Sequence, residues 1–395
     1  MMTIKDATIT KNRIFYNSKD IDVGAFATLC SQEVTEEDYP SASNFDKNIV
    51  IYNGQDLVEA FRSKKDYSKI KEELHGCLKE GPGVFVIREF YSDAKIIDQS
   101  TDIFWEIIIE EKTISTNHGD HFAKAGENER IWNSFQKVCE KRPSAFINYY
   151  RNPLYTLISE AWLGPGYQIT AQVNVVKPGG QAQSAHRDFH LGFQSNEVVA
   201  QYPLSLQVAS QYLTLQGAIA HTDMPINAGP TRLLPFSQKY DLGYLAWRDE
   251  AFKNYFEESA VQLRLNKGDA IFFSPALFHA AGSNRTDSDR VANLIQTSSA
   301  FSKPMETVNR TKMMKLVYRE IAENETGLAN DEIEAVVVAV AAGYSFPTNL
   351  DAEPPIGGVA PETGQQLMRK ALREKWSVEQ FDQAVEIKVE HKNAR

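Results

Sequence analysis

The sequence predicts a mainly β fold with helical flanks, an α+β chain built around a jelly roll. Residues 167–301 contain about eight short segments rich in β-branched and aromatic residues, a composition typical of strands. Turn sequences such as KPGGQ, INAGP and NKGD separate these segments, and helical patterns lie on both sides of them. Because no helical pattern alternates with the strands, a doubly wound α/β fold is disfavoured.

The chain before the strands is first mixed in pattern and then helical. Residues 1–70 are predicted to be an N-terminal extension with one short strand, NIVIYNG. From residue 71 the pattern is a helix, a Gly-Pro-Gly turn, the strand VFVIREF and a long helix. A further helical stretch, SAFINYYRNPLYTLISEAWLG, has Ser144 as its candidate N-cap and Gly164 as its candidate end.

The predicted strands begin with YQITAQVNVV and end with RVANLIQTSSAF. Between these two lie QSAHRDF, LQVASQYLTLQGAIAHTDM, TRLLPF, AVQLRL, DAIFFS and LFHAAG. Residues 306–395 are predicted to be a helical C-terminal extension packed on the core, with the proline-rich connection GYSFPTNLDAEPPIGGVAP between its helices. Residues 71–305 are therefore expected to form one domain with helices at its N-terminal end.

Charge and cysteine content limit the possible partners and surroundings. The formal net charge is −10, which disfavours a nucleic acid or an anionic membrane as the main partner. The three cysteines, Cys30, Cys77 and Cys139, form no disulfide or zinc-finger pattern. The N-terminus lacks the apolar core of a signal peptide, and the run AVVVAVAAG is too short to cross a bilayer. We expect a cytoplasmic protein, monomeric or homodimeric, with a small-molecule substrate.

The stretch QSAHRDFHLGF is the first sign of a metal site. On a strand, alternate side chains share a face, so His186 and Asp188 would point the same way. A third ligand is needed, and His279, in SPALFHAAG, is the best candidate. Two histidines and a carboxylate on one side of an ion, with open positions opposite, is the arrangement of non-haem Fe(II) oxygenases.

An arginine after the distal histidine suggests the co-substrate. Open iron positions can take an α-keto acid such as 2-oxoglutarate, and O2. The far carboxylate of 2-oxoglutarate needs a permanent positive charge, which Arg290, eleven residues after His279, can supply. Arg285 is nearer to His279 in the chain, but it lies in the polar turn GSNRTDSD and is expected to face water.

Three motifs, QSAHRD, INAGPTRLLPFSQ and FFSPALFHAAGSNRTDSDR, resemble the phytanoyl-CoA dioxygenase family of Fe(II)/2-oxoglutarate oxygenases, and so does the upstream LKEGPGVFVIREFYSDAKI. The resemblance covers about residues 71–305. It implies a double-stranded β-helix core of the cupin-like type, with His186, Asp188 and His279 as catalytic iron ligands and Arg290 as the 2-oxoglutarate clamp. It also implies oxidation of a substrate C–H bond, most simply hydroxylation, with release of succinate and CO2.

The chain departs from the family pattern at two places. LPFSQ stands where the family often has a Pro-Gly-Ser-His turn, and Ala281 stands where a hydroxylated residue often assists the co-substrate. Thr231 is the candidate to replace that hydroxyl. Since Asp188 is present, oxygen insertion or desaturation is favoured over halogenation.

Other polar residues are candidates for the cofactor pocket. Gln172 and Asn174 would point inward together if their strand lines the barrel, and each could bind the co-substrate or make a cross-strand pair. Gln183 resembles the glutamine three places before the first ligand in many relatives. His190 is a candidate for substrate contact or for the rim of the site, whereas Arg187 points to the opposite face and is expected to pack.

Residues 117–137 form an unusual segment before the barrel. His118, Asp120 and His121 are a rival metal group, although no regular element would fix them. A substrate lid using His121, Arg130 and Trp132 is an alternative, and so is a plain surface loop.

Two other functions remain open at the level of sequence. A cupin-like protein could bind a metal or ligand without chemistry, and a zinc hydrolase could use the same three ligands. The hydrolase would give no role to Arg290. The substrate is not encoded in any motif; without a basic cluster suited to coenzyme A phosphates, a smaller organic metabolite is favoured.

Overall fold

The computed structural model describes residues 13–114, 128–324, 327–355 and 357–393. Ten strands lie in this part of the chain: β1 Asn44–Asp46, β2 Ile49–Asn53, β3 Val84–Arg88, β4 Asn128–Ile131, β5 Gln168–Val176, β6 Thr214–Ala220, β7 Arg232–Leu233, β8 Ala270–Phe273, β9 His279–Ala280 and β10 Arg290–Ser298.

Fifteen α-helices accompany the strands within these described ranges. In chain order they are α1 Val23–Cys30, α2 Gly54–Ser63, α3 Tyr67–Lys79, α4 Ala94–Ile114, α5 Ser134–Lys141, α6 Pro143–Tyr150, α7 Leu154–Leu163, α8 Asn196–Val199, α9 Leu204–Ser210, α10 Gly243–Ala246, α11 Glu250–Ser259, α12 Arg310–Glu323, α13 Asn330–Val340, α14 Gly364–Glu374 and α15 Val378–Lys392. None of these helices is both long enough and apolar enough to span a bilayer.

Two sheets face each other and confirm the predicted jelly roll. The large sheet has the order β1-β2-β3-β8-β6-β10-β5-β4, and β7 pairs with β9 in the small one. Isolated bridges widen the small sheet, joining His186 to His279, Leu233 to Val261 and Met224 to Leu265. The two strands from the predicted N-terminal extension, β1 and β2, lie at the edge of the large sheet.

Alternation along the strands decides what each face of the large sheet contacts. Val84 and Val86 point between the sheets, whereas Phe85 and Ile87 join the core beneath the helices. On β5, Val173 and Val175 face the helices, so the intervening polar side chains face the interior of the jelly roll. The helices thus seal one face of the sheet and leave the other for a cavity.

Some predicted elements are wrong. Residues 204–210, predicted as part of a strand, form α9, and α10 and α11 lie between the predicted strands TRLLPF and AVQLRL. The segments QSAHRDF and AVQLRL contribute isolated bridges instead of full strands. As a result, residues 167–301 contain more helix than their strand-like composition predicts.

The predicted helices agree with the structure better than the predicted strands do, but the ends of the helices differ from the prediction. Ser144 is not a cap, because Pro143 begins α6 and Arg142 takes the cap position. Asn152 and Pro153 divide the predicted single helix in two, and Gly164, at φ 71°, ends the second part as expected.

Candidate active site

A pair of backbone hydrogen bonds brings together two segments that are far apart in the chain. The N–H of His186 donates to the carbonyl of His279 over 3.0 Å, and the N–H of His279 donates back over 3.2 Å. The Asp188 N–H donates to Pro275 O over 3.1 Å. This bond fixes the backbone at the next residue whose side chain points into the jelly roll. The jelly roll therefore places all three predicted ligands side by side.

The three side chains converge on one point. His186 Nε2 lies 3.8 Å from Asp188 Oδ1, and His279 Nε2 lies 3.4 Å from Asp188 Oδ2. One ligand atom from each residue falls within 4.8 Å of the other two, and among the described residues this is the group of three or more that could hold a metal ion. Two imidazoles and one carboxylate on one side of such a point suit a divalent transition metal.

Both histidine rings are oriented for metal binding. His186 Nδ1 lies 2.9 Å from Ser184 O, and His279 Nδ1 lies 2.9 Å from Leu277 O. Since a carbonyl oxygen can only accept, each Nδ1 carries the proton and each Nε2 keeps its lone pair. The lone pairs are then directed to the Asp188 side, so the residues fit a metal ion.

Gln216, on β6, supports the carboxylate and was not identified from the sequence. Its Nε2 donates to Asp188 Oδ2 over 2.6 Å. This bond fixes the orientation of the carboxyl group, as partners of metal-ligating carboxylates commonly do. A glutamine within the otherwise apolar TLQGAIA gives no spacing signal, and its inward direction alone could have indicated it.

The electrostatics of the group favour the protonation state that a cation requires. Desolvation lowers the pKa of His186, and the neighbouring His279 lowers it further. Burial acts to raise the pKa of Asp188, but the two histidine rings and Gln216 together hold it well below its usual value. Neutral imidazoles beside an ionised carboxylate are the forms that bind a metal.

The three candidate ligands open onto a cavity of about 390 Å³ between the two sheets. Its apolar walls include Trp132, Phe193, Met224, Phe273, Leu294 and Met305. A space of this size holds a small organic molecule beside a co-substrate, and the apolar walls would exclude water from them.

Arg290, at the start of β10, is a buried cation in the wall of this cavity. Its Nη1 donates to the carbonyls of Ala228, Gly229 and Gly282, those of Ala228 and Gly282 each over 3.0 Å. Burial lowers the pKa of its guanidinium to about 10. The charge is thus fixed in position and can receive a carboxylate.

Other predicted cofactor contacts also line the cavity. Thr231 and Ala281 lie in the same wall as Arg290, and Gln183 Oε1 accepts from the Ala281 N–H over 3.2 Å. Gln172 and Asn174 point inward from β5, opposite Leu294 and Ala292 of β10.

Two of the predicted substrate residues reach the cavity. Arg130 Nη1 donates to Gln172 Oε1 over 3.0 Å, and its guanidinium lies 5.0 Å from the Trp132 ring centre. Both side chains line the cavity. His121 and the rival metal group His118, Asp120 and His121 lie outside the described residues.

His190 is the predicted residue that the structure keeps out of the cavity. Phe189 has a φ of 64° and the 3₁₀ turn His190–Phe193 follows, so the alternation ends after Asp188. The exposed His190 ring instead donates from Nε2 to Lys303 O over 2.9 Å. Arg187 packs as expected: it is buried, and its Nη2 donates to Ser237 O and Tyr240 O.

A jelly roll with two histidines and one carboxylate on one side of a cavity defines the class of mononuclear non-haem iron oxygenases. Comparison with known proteins identifies the family. The family model described as phytanoyl-CoA dioxygenase (PhyH) matches residues 53–292, well over half of the chain. The chain belongs to this family of Fe(II)/2-oxoglutarate-dependent dioxygenases.

Curated relatives include dioxygenases. The chain is 33% identical to dioxygenase olcK of Penicillium canescens over 41% of this chain and 47% of that protein. It is 23% identical to dioxygenase cdmD of Talaromyces verruculosus over 71% of this chain and 80% of that protein. With the uncharacterized protein YJR154W of Saccharomyces cerevisiae it shares 32% identity, over 23% of this chain and 25% of that protein. The chain thus spans less than half the length of two of these relatives.

Solved structures with a similar arrangement share little sequence with this chain. The epimerase SnoN, in complex with Fe3+, alpha ketoglutarate and nogalamycin RO, is 13% identical, with a TM-score of 0.41 over 59% of this chain and 85% of that one. HygX from Streptomyces hygroscopicus, with nickel and 2-oxoglutarate bound, is 11% identical, with a TM-score of 0.39 over 58% of this chain and 87% of that one.

Proposed function

We propose that this protein hydroxylates a C–H bond of a small organic metabolite, using Fe(II), O2 and 2-oxoglutarate and releasing succinate and CO2. One oxygen atom of O2 enters the substrate and the other enters succinate. The observation that carries the proposal is the convergence of His186 Nε2, His279 Nε2 and the Asp188 carboxylate at a cavity that also contains Arg290.

The proposal assigns a role to each of these side chains. His186, Asp188 and His279 would hold the iron, which supplies oxygen activation when bound. Arg290 would bind the far carboxylate of 2-oxoglutarate, with Thr231 beside it in the wall. The apolar walls would keep water away from the reacting atoms, which prevents side reactions.

Polar groups further along the wall would orient the bound molecules. Gln183 lies in the same wall as Ala281, and Gln172 and Asn174 present amides from β5. We assign these three side chains to the co-substrate, while Arg130 and Trp132 lie where a substrate would meet the cavity wall.

Anaerobic spectroscopy tests the proposal. Purified protein mixed with Fe(II) and 2-oxoglutarate should develop the weak visible charge-transfer band of the iron–keto-acid chelate, and His186→Ala or Asp188→Ala should abolish it. His190→Ala is the matched control, since this exposed ring lies four residues along the same segment yet outside the cavity. A wild-type protein that shows no band, and makes no succinate in air with iron, would contradict the proposal.

Titration of the charge-transfer band with 2-oxoglutarate tests whether the Arg290 guanidinium binds the co-substrate. Arg290→Lys should raise the dissociation constant for 2-oxoglutarate about 10- to 100-fold, because lysine cannot reproduce the two-pronged contact. Arg285→Lys, at an exposed position in the neighbouring turn, should leave it unchanged. Equal dissociation constants for 2-oxoglutarate in the two variants would contradict the assignment of Arg290 to the co-substrate.

A further inference from the structure

The connection between β10 and α12, residues 299–309, closes one side of the cavity. Met305 and Glu306 of this covering segment line the cavity. The segment is held at several points: His190 donates to Lys303 O over 2.9 Å, and the Asn309 N–H donates to Gln136 Oε1 over 2.7 Å. The backbone of the segment is therefore held in place beside the cavity.

Glu306 brings a carboxylate to this wall. Its Oε1 accepts from the Asn133 N–H over 2.7 Å. Its Oε2 is buried and makes no hydrogen bond of ordinary length and angle within the described part of the chain, although the Gln172 amide is a polar neighbour of the carboxyl group. Asn174, Gln216 and Gln296 also leave side-chain oxygens unpaired there, but an amide can turn to present its NH2 group. A carboxylate oxygen offers an acceptor in either orientation.

The free oxygen of Glu306 does not suit the co-substrate. 2-Oxoglutarate carries two carboxylates and a keto group, all of which are acceptors, so a second carboxylate would repel it. The metal group identified among the described residues consists of His186, Asp188 and His279, without Glu306. The remaining ligand of the cavity is the substrate.

The charged groups near Glu306 limit which functional group of the substrate could bind its carboxylate. Burial raises the pKa of the Glu306 carboxyl, against hydrogen bonding by the Asn133 N–H and the Gln172 side chain and against the positive charges of Lys137 and Arg130. The two cations among these groups disfavour an ammonium group next to the carboxylate. A neutral hydroxyl can donate to Oε2 without this repulsion.

We propose that Glu306 is a specificity-determining residue that accepts a hydrogen bond from a hydroxyl group on an otherwise apolar substrate. The inference rests on the proposed function, because it assigns the substrate of the same site. Trp132, Phe193 and Met305 would contact the apolar part of the molecule, and the covering segment would position the acceptor.

Three probes with one rigid apolar cage test the inference: 2-adamantanol, 2-adamantanone and 2-adamantylamine. Each is titrated calorimetrically and anaerobically into protein loaded with Fe(II) and 2-oxoglutarate, with loading verified by the charge-transfer band. Wild type should bind the alcohol roughly tenfold or more tightly than the ketone, since a hydrogen bond to a charged acceptor is worth that much. It should also prefer the alcohol to the amine.

Glu306→Gln should reduce the preference for the alcohol over the ketone to near parity or reverse it, because a glutamine amide can donate to a ketone. The variant should keep the charge-transfer band, which shows that the iron site is folded. Glu250→Gln, at an exposed carboxylate on α11, is the matched control and should keep the wild-type preference.

The outcomes separate the two proposals. A wild type with the band that binds the alcohol no better than the ketone or the amine, or that binds none of the three, overturns the inference alone. An unchanged preference in Glu306→Gln overturns it as well. A wild type without the band contradicts the proposed function, and this inference then fails with it.

Discussion

Each candidate ligand histidine is oriented by the carbonyl two residues before it in the chain. Ser184 O serves His186 and Leu277 O serves His279, both at 2.9 Å. Both bonds are local, so the extended backbone around each ligand sets its tautomer. The third ligand is different, because the orientation of Asp188 depends on Gln216 from another strand.

This dependence leads to a prediction for Gln216→Leu. Loss of the hydrogen bond to Asp188 Oδ2 should weaken Fe(II) binding about 10- to 100-fold, as expected for a partner of a ligating carboxylate. Competition with a metal chelator under anaerobic conditions measures the dissociation constant. Gln296→Leu is the control, since Gln296 lies opposite Gln216 in the strand register and lines the same cavity. Equal affinities in the two variants would contradict the prediction.

At the residue scale, the sequence revealed those members of the site that have a characteristic spacing. His186, Asp188 and His279 could be predicted because alternation and a later histidine form a pattern. Gln216 and Glu306 have no such pattern: one lies in an apolar strand, and the other was assigned to the start of a helix. Helix α12 in fact begins at Arg310, capped by Asn309, whose side chain accepts from the Lys312 N–H over 3.0 Å.

At the element scale, a buried histidine joins the large sheet to the helices behind it. His221 follows β6 and has a hydrogen-bond partner on each ring nitrogen: Thr101 of α4 at 2.8 Å and Tyr149 of α6 at 2.9 Å. Burial lowers the pKa of His221 to about 3. The ring is therefore neutral in the folded protein at neutral pH.

The buried neutral ring predicts a loss of stability in acid. In the unfolded chain the pKa of a histidine is about 6.5. Below this pH the unfolded chain binds a proton at His221, whereas the folded chain does not bind one until about pH 3. Between these values, this residue should lower the free energy of unfolding by about 1.4 kcal/mol per pH unit as the pH falls.

Urea unfolding at pH 7.0 and 5.5 measures this effect. His221→Gln should be less stable at pH 7.0, yet it should lose less stability than wild type between the two pH values. The comparison of slopes separates the titration of His221 from the packing lost in the variant. Parallel pH dependence in the two proteins would show that His221 does not contribute.

Elements were predictable where local pattern and tertiary structure agree. The strand VFVIREF and the long helix after it are found as β3 and α4. The stretch LQVASQY was misread as a strand because its apolar residues are those that strands also favour, and the helix α9 there has seven residues. Helices α10 and α11 were missed because no helical pattern was recognised among the predicted strands. Their residues nevertheless pack as helices beside the small sheet.

At the scale of the whole molecule, the C-terminal helices make polar contacts with the jelly roll. Arg310, at the start of α12, donates from Nη2 to Ile169 O of β5 and from Nη1 to Ala339 O of α13, each over 3.0 Å. A single side chain thus joins the large sheet to two C-terminal helices. We propose that residues 306–395 are a structural part of the domain and do not fold separately.

Arg310→Met tests this proposal. Two carbonyls would lose their charged donor, so the free energy of unfolding should fall by roughly 2–4 kcal/mol in a single cooperative transition. Arg319→Met is the control on the same helix; its exposed guanidinium lies 3.7 Å from Asp382, and it should cost roughly 0–1 kcal/mol. Two separate transitions in the wild-type urea curve would contradict an integral C-terminal region.

The carboxylate of Glu306 reaches the cavity from the connection between β10 and α12, while the three candidate metal ligands and Arg290 belong to the jelly roll and its edges. Under the proposal for Glu306, part of the recognition of the substrate is encoded in a different stretch of sequence from the candidate metal ligands. On that proposal, an exchange of residues 299–309 between proteins with this jelly roll should change the preference among substrates and leave the three candidate metal ligands in place.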